Sequence, residues 1–223
     1  MPPRLSPEIL IDAYAAGIFP MADSAEDPEL FWVDPRQRGI IPFDCFHIPR
    51  RLARVIRQGH FAVRCDTRFA DTMQGCAEAT EKRPNTWINA EILRLYTALF
   101  RGGYAHSVEC WQGDALVGGL YGVSIGAAFF GESMFSRVTD ASKVALVHLV
   151  ATLRAGGYRL LDVQFLTPHL ARFGAVEIPR TEYRRRLADA LRYRGDFAGG
   201  FAAAGGCAAA GGGAPRHSRT LTS

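Results

Sequence analysis

Long apolar runs, paired cysteines and lysine are all scarce in this 223-residue sequence, and each scarcity excludes a class of protein. No apolar run approaches about 18 residues, so no membrane-spanning helix is expected. Acidic residues interrupt the apolar residues of the N-terminus, which argues against a secretory signal. The five cysteines form no C-x-x-C pair, which argues against a disulfide framework and a zinc site. We therefore expect a protein of the reducing cytoplasm without membrane association.

Lysine occurs only at positions 82 and 143, so arginine carries nearly all of the positive charge. A bias toward arginine can follow from the base composition of the coding DNA, but its clustering cannot. The first 35 residues hold one Arg against seven acids, whereas residues 36–68 hold eight Arg against two Asp. Because guanidinium groups bind phosphates bidentately, this basic segment suggests a phosphate-bearing partner.

The basic segment contains a predicted helix that begins near Pro49 and ends near Gly59. Arg50, Arg54 and Arg57 recur at i, i+4 and i+7 and therefore line one face of this helix. No acid lies between residues 45 and 65. The face could bind phosphates, but the helix by itself fits a merely solvated face better.

Helical patterns dominate to about residue 102, and strand patterns follow. Three glycine-rich or alternating strands precede an amphipathic helix that Asp140 is expected to cap, and a further strand follows that helix. We predict an α/β (α+β) fold with a small α-rich N-terminal domain (1–62), a catalytic domain with a mostly antiparallel sheet (63–194) and a disordered Gly/Ala-rich tail (195–223). The order strand–strand–strand–helix–strand resembles the acetyltransferase-like (GNAT-like) architecture.

One predicted strand, RLLDVQF, carries two polar residues among apolar ones. Asp162 and Gln164 lie two residues apart, so their side chains should leave the strand on the same face. Glu132 lies in FFGESMFSR, among aromatic residues and methionine. Because an unpaired carboxylate is costly in apolar surroundings, the three residues predict a polar floor in an apolar pocket. The alternative is that Asp162 pairs with an arginine and Gln164 satisfies backbone groups.

The turn before the amphipathic helix bears on the donor. A coenzyme-A acetyltransferase needs a glycine-rich loop at the helix N-terminus to bind pyrophosphate. The sequence there is FSRVTDASK, which has no glycine, and Asp140 would repel phosphate. This disfavours CoA as donor. A CoA-dependent N-acetyltransferase and a non-enzymatic RNA-binding module remain the alternative functions.

Residues 6–194 closely resemble the leucyl/phenylalanyl-tRNA–protein transferase family. The motifs that carry the resemblance are YAAGIFPM, FWVDPRQRGIIPFDCFHIPR, TWI, AHSVECW, LVGGLYGVSIGAAFFGESMFSR with ASKVAL, and LLDVQF. The resemblance implies an enzyme, expected to be a monomer, that moves Leu, Phe and by extension Met from aminoacyl-tRNA to proteins with N-terminal Arg or Lys. The product N-terminus is a degradation signal. Neither metal nor nucleotide cofactor is required, because the ester is already activated.

The same resemblance implies roles for individual residues. Asp162 and Gln164 match the catalytic pair, and we expect Asp162 to position the acceptor amine and take its proton. We expect Glu132 to bind the positive side chain of the acceptor. Further substrate-binding positions are Met134, Ser136, Trp87, Tyr96, Met21 and Leu149, and the tRNA-binding positions are Arg50, Arg54 and Arg57. Some members have Trp at position 21 and Phe at position 149, and this difference bears on the preference between Leu and Phe.

Overall fold

The computed structural model describes residues 5–80 and 84–205. The α-helices are α1 (Pro7–Ala15), α2 (Arg50–Arg57), α3 (Phe69–Ala77), α4 (Ala90–Arg101), α5 (Ala141–Ala155), α6 (Pro168–Ala171), α7 (Arg180–Leu191) and α8 (Phe197–Ala203). The strands are β1 (Phe19–Met21), β2 (Phe31–Val33), β3 (Gln37–Ile40), β4 (Ala62–Cys65), β5 (Ala105–Gln112), β6 (Ala115–Ile125), β7 (Ala128–Ser136), β8 (Leu160–Gln164) and β9 (Val176–Pro179).

A seven-stranded sheet in the order β4-β5-β6-β7-β8-β3-β9 organises the molecule, and β1 and β2 form a separate two-stranded sheet. Within the larger sheet β7 and β8 are parallel, and the other neighbouring strands are antiparallel. The predicted α/β class with a mostly antiparallel sheet is therefore confirmed. The meander β5–β6–β7 followed by α5 and β8 is the order on which the acetyltransferase-like prediction rests.

Helices cover both faces of this sheet and bury two apolar clusters. One cluster contains side chains of α1, α3, α4 and α7, and the other is built around α5 with contributions from α2, α6 and α8. Helix α5 contacts β5, β6 and β7, whereas α7 packs against β3, β7, β8 and β9. No helix in the described ranges is long and apolar enough to cross a membrane.

The N-terminal segment is less helical than the sequence predicts. It contributes four short strands, and β3 lies inside the large sheet between β8 and β9. The first 62 residues therefore share a sheet with the rest of the chain. Asp140 does precede α5, but it has a positive φ of 70° and forms no side-chain cap, and its carboxylate pairs with Lys143.

The prediction of a disordered tail from residue 195 is wrong for the residues described there. Helix α8 packs on α5 with Phe197 and Phe201 almost fully buried. A Cβ at Gly200 would lie 2.3 Å from the carbonyl oxygen of Thr152, so the glycine permits a close approach of the two helices. The small residues that suggested disorder thus allow α8 to pack closely against α5. The rest of the predicted tail, residues 206–223, lies outside the described residues.

Candidate active site

The candidate site is a cavity of about 320 Å³ that opens where β7 and β8 separate. The two strands pair only from Ala128 with Leu160 to Phe130 with Asp162, and β7 then continues to Ser136 without β8. The space between them is closed mainly by apolar side chains. The lining residues are Leu120, Tyr121, Gly131, Glu132, Ser133, Met134, Leu146, Leu149, Leu161, Val163, Gln164, Phe165, Thr167, His169 and Leu170.

A β-bulge in β7 brings Glu132 to the cavity. Gly131 pairs with Gly122 and Ser133 pairs with Tyr121, so Glu132 has no partner residue on β6. A bulge bends a strand and redirects the side chain of the extra residue, which is common beside active sites. The bulge therefore places the Glu132 carboxylate at the cavity wall.

Hydrogen bonds hold the Glu132 carboxylate between α4 and β8. The Tyr96 hydroxyl donates to Oε2 at 3.2 Å, and the Gln164 side-chain amide donates to Oε1 at 3.4 Å. The Tyr96 hydroxyl also shares a short hydrogen bond with the hydroxyl of Tyr14 on α1. Burial raises the pKa of Glu132 to about 8, although the tyrosine hydroxyls act in the opposite direction.

Gln164 ends β8 in a left-handed conformation, with φ of 57°. Its backbone N–H donates to Oδ1 of Asp162 at 2.8 Å, and the N–H of Phe165 donates to the carbonyl of Val163 at 2.7 Å. Positive φ is uncommon outside glycine and costs about 1–3 kcal/mol. The tight turn interrupts strand alternation and leaves the Gln164 side chain on the cavity wall, while Asp162 lies behind it.

The neighbouring strand β3 fits this turn through a glycine. Gly39 pairs with Gln164, and a Cβ added at Gly39 would lie 2.7 Å from the backbone carbonyl carbon of Phe165. Real Cβ atoms do not approach so closely, so β3 can lie against the end of β8 only with glycine at this position. Gly39 is therefore part of the support of the site.

Asp162 is completely buried, and both of its oxygens are occupied by donors. Arg38 donates through Nε to Oδ1 at 3.0 Å and through Nη2 to Oδ2 at 2.6 Å. Tyr183 donates its hydroxyl to Oδ2 at 2.7 Å, and the Gln164 N–H occupies Oδ1. The carboxylate thus binds to an arginine, which was the structural alternative considered from the sequence.

Arg38 is the buried counterion, and its surroundings complete the pair. Its Nη1 donates to the carbonyl of Gly17 at 3.1 Å, and its guanidinium carbon lies 4.5 Å from the ring centroids of both Phe19 and Tyr183. Burial disfavours the guanidinium charge, but Asp162 and the other neighbours outweigh burial and raise the pKa of Arg38. The two charges compensate each other and leave Glu132 as the one carboxylate among the described residues that line the cavity.

Comparison with known proteins identifies the family. A family model described as leucyl/phenylalanyl-tRNA protein transferase matches residues 40–188, and the model of its N-terminal domain matches residues 4–36. The leucyl/phenylalanyl-tRNA–protein transferase of Paramagnetospirillum magneticum is 61% identical over 84% of this chain and 90% of its own length. The transferases of Hyphomonas neptunium and Caulobacter vibrioides are 58% and 61% identical over 90% and 87% of this chain, and over 78% and 90% of their own lengths. The chain belongs to this family.

The chain is therefore an aminoacyltransferase with an aminoacyl-tRNA donor and a protein acceptor. Membership of this family excludes the alternatives of a CoA-dependent acetyltransferase and a non-enzymatic RNA-binding module. Among solved structures, a C-terminal domain of a lysylphosphatidylglycerol synthetase from Agrobacterium fabrum is 13% identical. Its TM-score is 0.38, over 86% of this chain and 60% of that chain.

The predicted site residues of this aminoacyltransferase fall into two groups. Glu132, Met134, Leu149 and Gln164 line the cavity together, and Asp162 supports Gln164 from behind. Since its oxygens are occupied and its side chain is inaccessible, the geometry favours a positioning role of Asp162 over proton transfer.

The residues of the second group do not line the cavity. Ser136 is exposed, donates to the carbonyl of Val138 and accepts from the N–H of Ser142 at the start of α5, so it supports a turn. Met21 and Trp87 are partly buried against the cluster of α1, α3 and α4, and neither lines the cavity. Tyr96 does not line it either, but touches it through its hydrogen bond to Glu132.

The three arginines predicted to bind tRNA lie on α2, which packs on α5. Arg50, Arg54 and Arg57 are exposed, whereas Leu52 is buried beneath them. Within the described part of the chain none of the three takes part in an ion pair, unlike the arginines of α7. The face is therefore available to an anionic partner.

Sequence reasoning missed the residues that surround the predicted carboxylates. Arg38, Tyr183, Tyr14 and Gly39 come from three different elements, β3, α7 and α1, and no spacing along the chain connects them with Asp162 or Glu132. Only the basic character of residues 36–68 could have indicated a buried counterion, but it does not single out Arg38 among eight arginines.

Proposed function

We propose that this aminoacyltransferase acts in the cytoplasm as a monomer. It transfers Leu, Phe or Met from aminoacyl-tRNA to the α-amino group of proteins that begin with Arg or Lys. The product N-terminus then marks the acceptor for degradation. The observation that carries the proposal is an apolar cavity in which Gln164 and Glu132 lie side by side at the wall.

The donor side chain occupies the apolar part of the cavity. Leu146, Leu149 and Leu161 form this wall together with Met134 from β7 and Leu120 from β6. Such a wall separates apolar side chains by only about 1–3 kcal/mol per methylene but rejects charged ones strongly. It therefore accepts leucyl, phenylalanyl and methionyl groups, and excludes aspartyl and lysyl groups.

Gln164 contacts the acceptor amine, and Asp162 acts through Gln164. The carboxamide oxygen of Gln164 can accept a hydrogen bond from the amine while its NH₂ donates to Glu132. Asp162 fixes the backbone of Gln164 and is itself fixed by Arg38 and Tyr183. Aminolysis of an activated ester depends on such positioning, because holding the two groups in place removes most of the entropic barrier.

The arginine face of α2 binds the tRNA. Phosphate contacts carry affinity and orientation without sequence information, so different tRNAs can use the same face. Arg50, Arg54 and Arg57 are exposed and form no ion pair with another described residue, which supports this assignment. The arginines would hold the tRNA while its 3′ end enters the cavity.

The decisive experiment measures transfer of labelled leucine from charged tRNA to a reporter protein with N-terminal Lys or Arg. The same reporter with N-terminal Asp is the acceptor control, and tRNAs charged with Phe, Met, Val, Asp and Lys test the donor pocket. We expect transfer with Leu, Phe and Met, little with Val because of its β-branch, and none with Asp or Lys. Efficient use of the charged aminoacyl groups, or equal use of the Asp reporter, contradicts the proposal.

A further inference from the structure

We propose that Glu132, and not Asp162, is the group that takes the proton of the acceptor α-amine and passes it to the departing 3′-oxygen of the tRNA. This inference rests on the proposed function. It replaces the role expected from the sequence, in which Glu132 binds the positive side chain of the acceptor. That role would require the carboxylate to lie farther from the acceptor α-amine.

The first reason is that Asp162 has no free oxygen. Oδ1 accepts hydrogen bonds from Arg38 Nε and the Gln164 N–H, and Oδ2 accepts them from Arg38 Nε and Nη2 and from the Tyr183 hydroxyl. The side chain of Asp162 has no accessible surface. A carboxylate oxygen offers about two acceptor sites, so these donors saturate both. Proton transfer to Asp162 would require the dissolution of a buried ion pair.

The second reason is the place of Glu132. Its Oε1 lies 3.4 Å from the side-chain nitrogen of Gln164, which is the group proposed to hold the amine. A general base must lie within hydrogen-bond reach of the proton that it takes, and Glu132 satisfies this requirement. The guanidinium of an N-terminal arginine, in contrast, is separated from its α-amine by the whole aliphatic stem. Glu132 is therefore close to the amine and poorly placed for the distal charge.

The third reason is the electrostatic environment. The titratable and charged groups that face Glu132 are Tyr14 of α1, Tyr96 of α4, Asp162 of β8 and Arg38 of β3. Both tyrosines are themselves buried, which raises their pKa values and keeps them neutral hydrogen-bond donors. Burial raises the pKa of Glu132 to about 8. A peptide α-amine has a pKa of about 8, so proton exchange between the two groups is close to balanced.

The proposed step balances in atoms and charge. The neutral amine attacks the ester carbonyl, a C–N bond forms, and the C=O π bond opens to give a tetrahedral species with a positively charged nitrogen and a negatively charged oxygen, which re-forms the carbonyl when the leaving group departs. Ionised Glu132 takes one proton from this nitrogen. The C–O bond to the 3′-oxygen then breaks, and protonated Glu132 gives the same proton to the departing oxygen. Glu132 ends ionised, and the products are an amide and a tRNA with a free 3′-hydroxyl.

The test compares two acceptor peptides that differ only in charge, one with N-terminal arginine and one with N-terminal citrulline, its neutral isostere. Single-turnover transfer of labelled leucine from Leu-tRNA is measured for the wild type, Glu132→Gln and the exposed control Glu26→Gln. We expect Glu132→Gln to lose about 10²–10⁴-fold in rate, the usual range for general acid–base catalysis, by the same factor on both peptides. Glu26→Gln should match the wild type.

Two other results would overturn the inference. If Glu132 bound the acceptor side chain, Glu132→Gln would lose activity mainly on the arginine peptide, and the preference for arginine over citrulline would collapse. If Glu132→Gln transferred at the wild-type rate, Glu132 would take no proton. Absence of transfer by the wild type would contradict the proposed function itself, which distinguishes the two failures.

The choice of substitution limits the risk that a folding defect is mistaken for a loss of catalysis. Glutamine is isosteric with the neutral form of Glu132, and its amide oxygen can accept from the Gln164 side chain while its NH₂ donates to the Tyr96 hydroxyl. Retention of Leu-tRNA and an unchanged melting temperature verify that the Glu132→Gln protein is folded. Should that variant fail to fold, Glu132→Asp keeps the carboxyl group, and its fractional loss of rate must again be equal on the two peptides for the inference to stand.

Discussion

At the residue scale, Gln164 lies between two carboxyl groups, those of Asp162 and Glu132, whose electrostatic surroundings are opposite. Asp162 is paired with Arg38, and its charge is compensated in the interior. Glu132 is bonded to Tyr96 and Gln164, and burial favours its neutral form. A compensated charge suits rigid support, and a carboxyl group that can gain or lose a proton suits chemistry. We therefore propose that the two tasks expected of Asp162 are divided: Asp162 supports the position of the acceptor amine, and Glu132 takes the proton of that amine.

The buried pair leads to the first prediction. Asp162→Asn leaves the Arg38 guanidinium buried without its counterion, and the free energy of unfolding should fall by about 3–5 kcal/mol. The double variant Arg38→Met, Asp162→Leu removes both charges and should recover most of that loss. It should not recover transfer activity, because the Gln164 N–H still lacks its acceptor. Urea unfolding and single-turnover transfer measure the two effects.

The control is a substitution in an exposed ion pair. Glu182 on α7 binds Arg185 and Arg186 at the surface, and Glu182→Gln should hardly change the urea midpoint. If Asp162→Asn were as stable as the wild type, the buried pair would not contribute to stability as expected. Full activity of the double variant would contradict the positioning role of Asp162.

At the scale of elements, the end of β8 depends on the strand beside it. Gly39→Ala places a Cβ against the backbone of Phe165, which must then move and take Gln164 with it. A displacement of about 1 Å at a positioning residue can cost about 10²-fold in rate. We expect a loss of this order in single-turnover transfer, with Leu-tRNA binding retained because α2 is unaffected.

Gly102→Ala is the matched control for this prediction. A Cβ at Gly102 meets first the side chain of the exposed Tyr104, at 3.3 Å, and this flexible ring can move aside. Its transfer rate should stay close to that of the wild type. A Gly39→Ala protein with normal turnover would show that β3 and β8 tolerate the extra atom and that Gly39 does not support the site.

Helix α2 provides the prediction for tRNA binding. Replacement of Arg50, Arg54 and Arg57 by Ala removes three phosphate contacts if the proposed face is correct. Each contact with duplex RNA or DNA contributes about 0.9 to the slope of log K against log salt, so the slope should flatten by up to about 2.7. Binding of Leu-tRNA at several salt concentrations measures the slope.

A triple variant of α7 is the control with the same change in net charge. It replaces the exposed or half-buried arginines Arg184, Arg185 and Arg186. These side chains pair with Asp34 or Glu182, so they are less available to phosphate. The slope should change less than in the α2 variant. Equal slopes for the two variants would mean that only net charge matters and that the α2 face is merely solvated.

At the scale of the whole molecule, α8, the last helix of the described residues, closes one side of the α5 layer. The Phe197 ring stacks on His106 of β5 with centroids 4.1 Å apart, and on Phe129 of β7 at 5.7 Å. Phe201 is 2% exposed. These contacts connect the end of the described chain to the middle of the large sheet, on the side opposite to Tyr14 and Tyr96.

Truncation tests this contribution. A chain that ends at residue 195 loses α8, whereas a chain that ends at residue 205 keeps it. Burial of an aromatic side chain contributes about 1.5–3 kcal/mol, so loss of Phe197 and Phe201 should lower the free energy of unfolding by about 3–6 kcal/mol relative to the longer chain. Thermal and urea unfolding of the two proteins measure the difference. Equal stabilities would show that α8 packs without stabilising the fold.

The sequence by itself determined most of the helices, the order of the meander, and the three polar residues that lie around the cavity. Apolar periodicity, helix caps and strand alternation are local, and the family motifs of RLLDVQF and GESMFSR already single out Asp162, Gln164 and Glu132. The N-terminal strands were missed because each has three or four residues and depends on partners distant in the chain. Helix α8 was missed because a Gly/Ala composition says nothing about the close approach that Gly200 permits.

Only the tertiary structure decided what each polar residue can do. Asp162 and Arg38 are 124 positions apart, and the proximity that saturates the carboxylate arises from the insertion of β3 beside β8. Glu132 reaches the cavity through a bulge, and its pKa depends on burial beside tyrosines from two helices. The charge state of a side chain and the groups it can contact depend on its surroundings. Those surroundings come from segments that are distant in the chain, and the spacing of residues does not show which segments will meet.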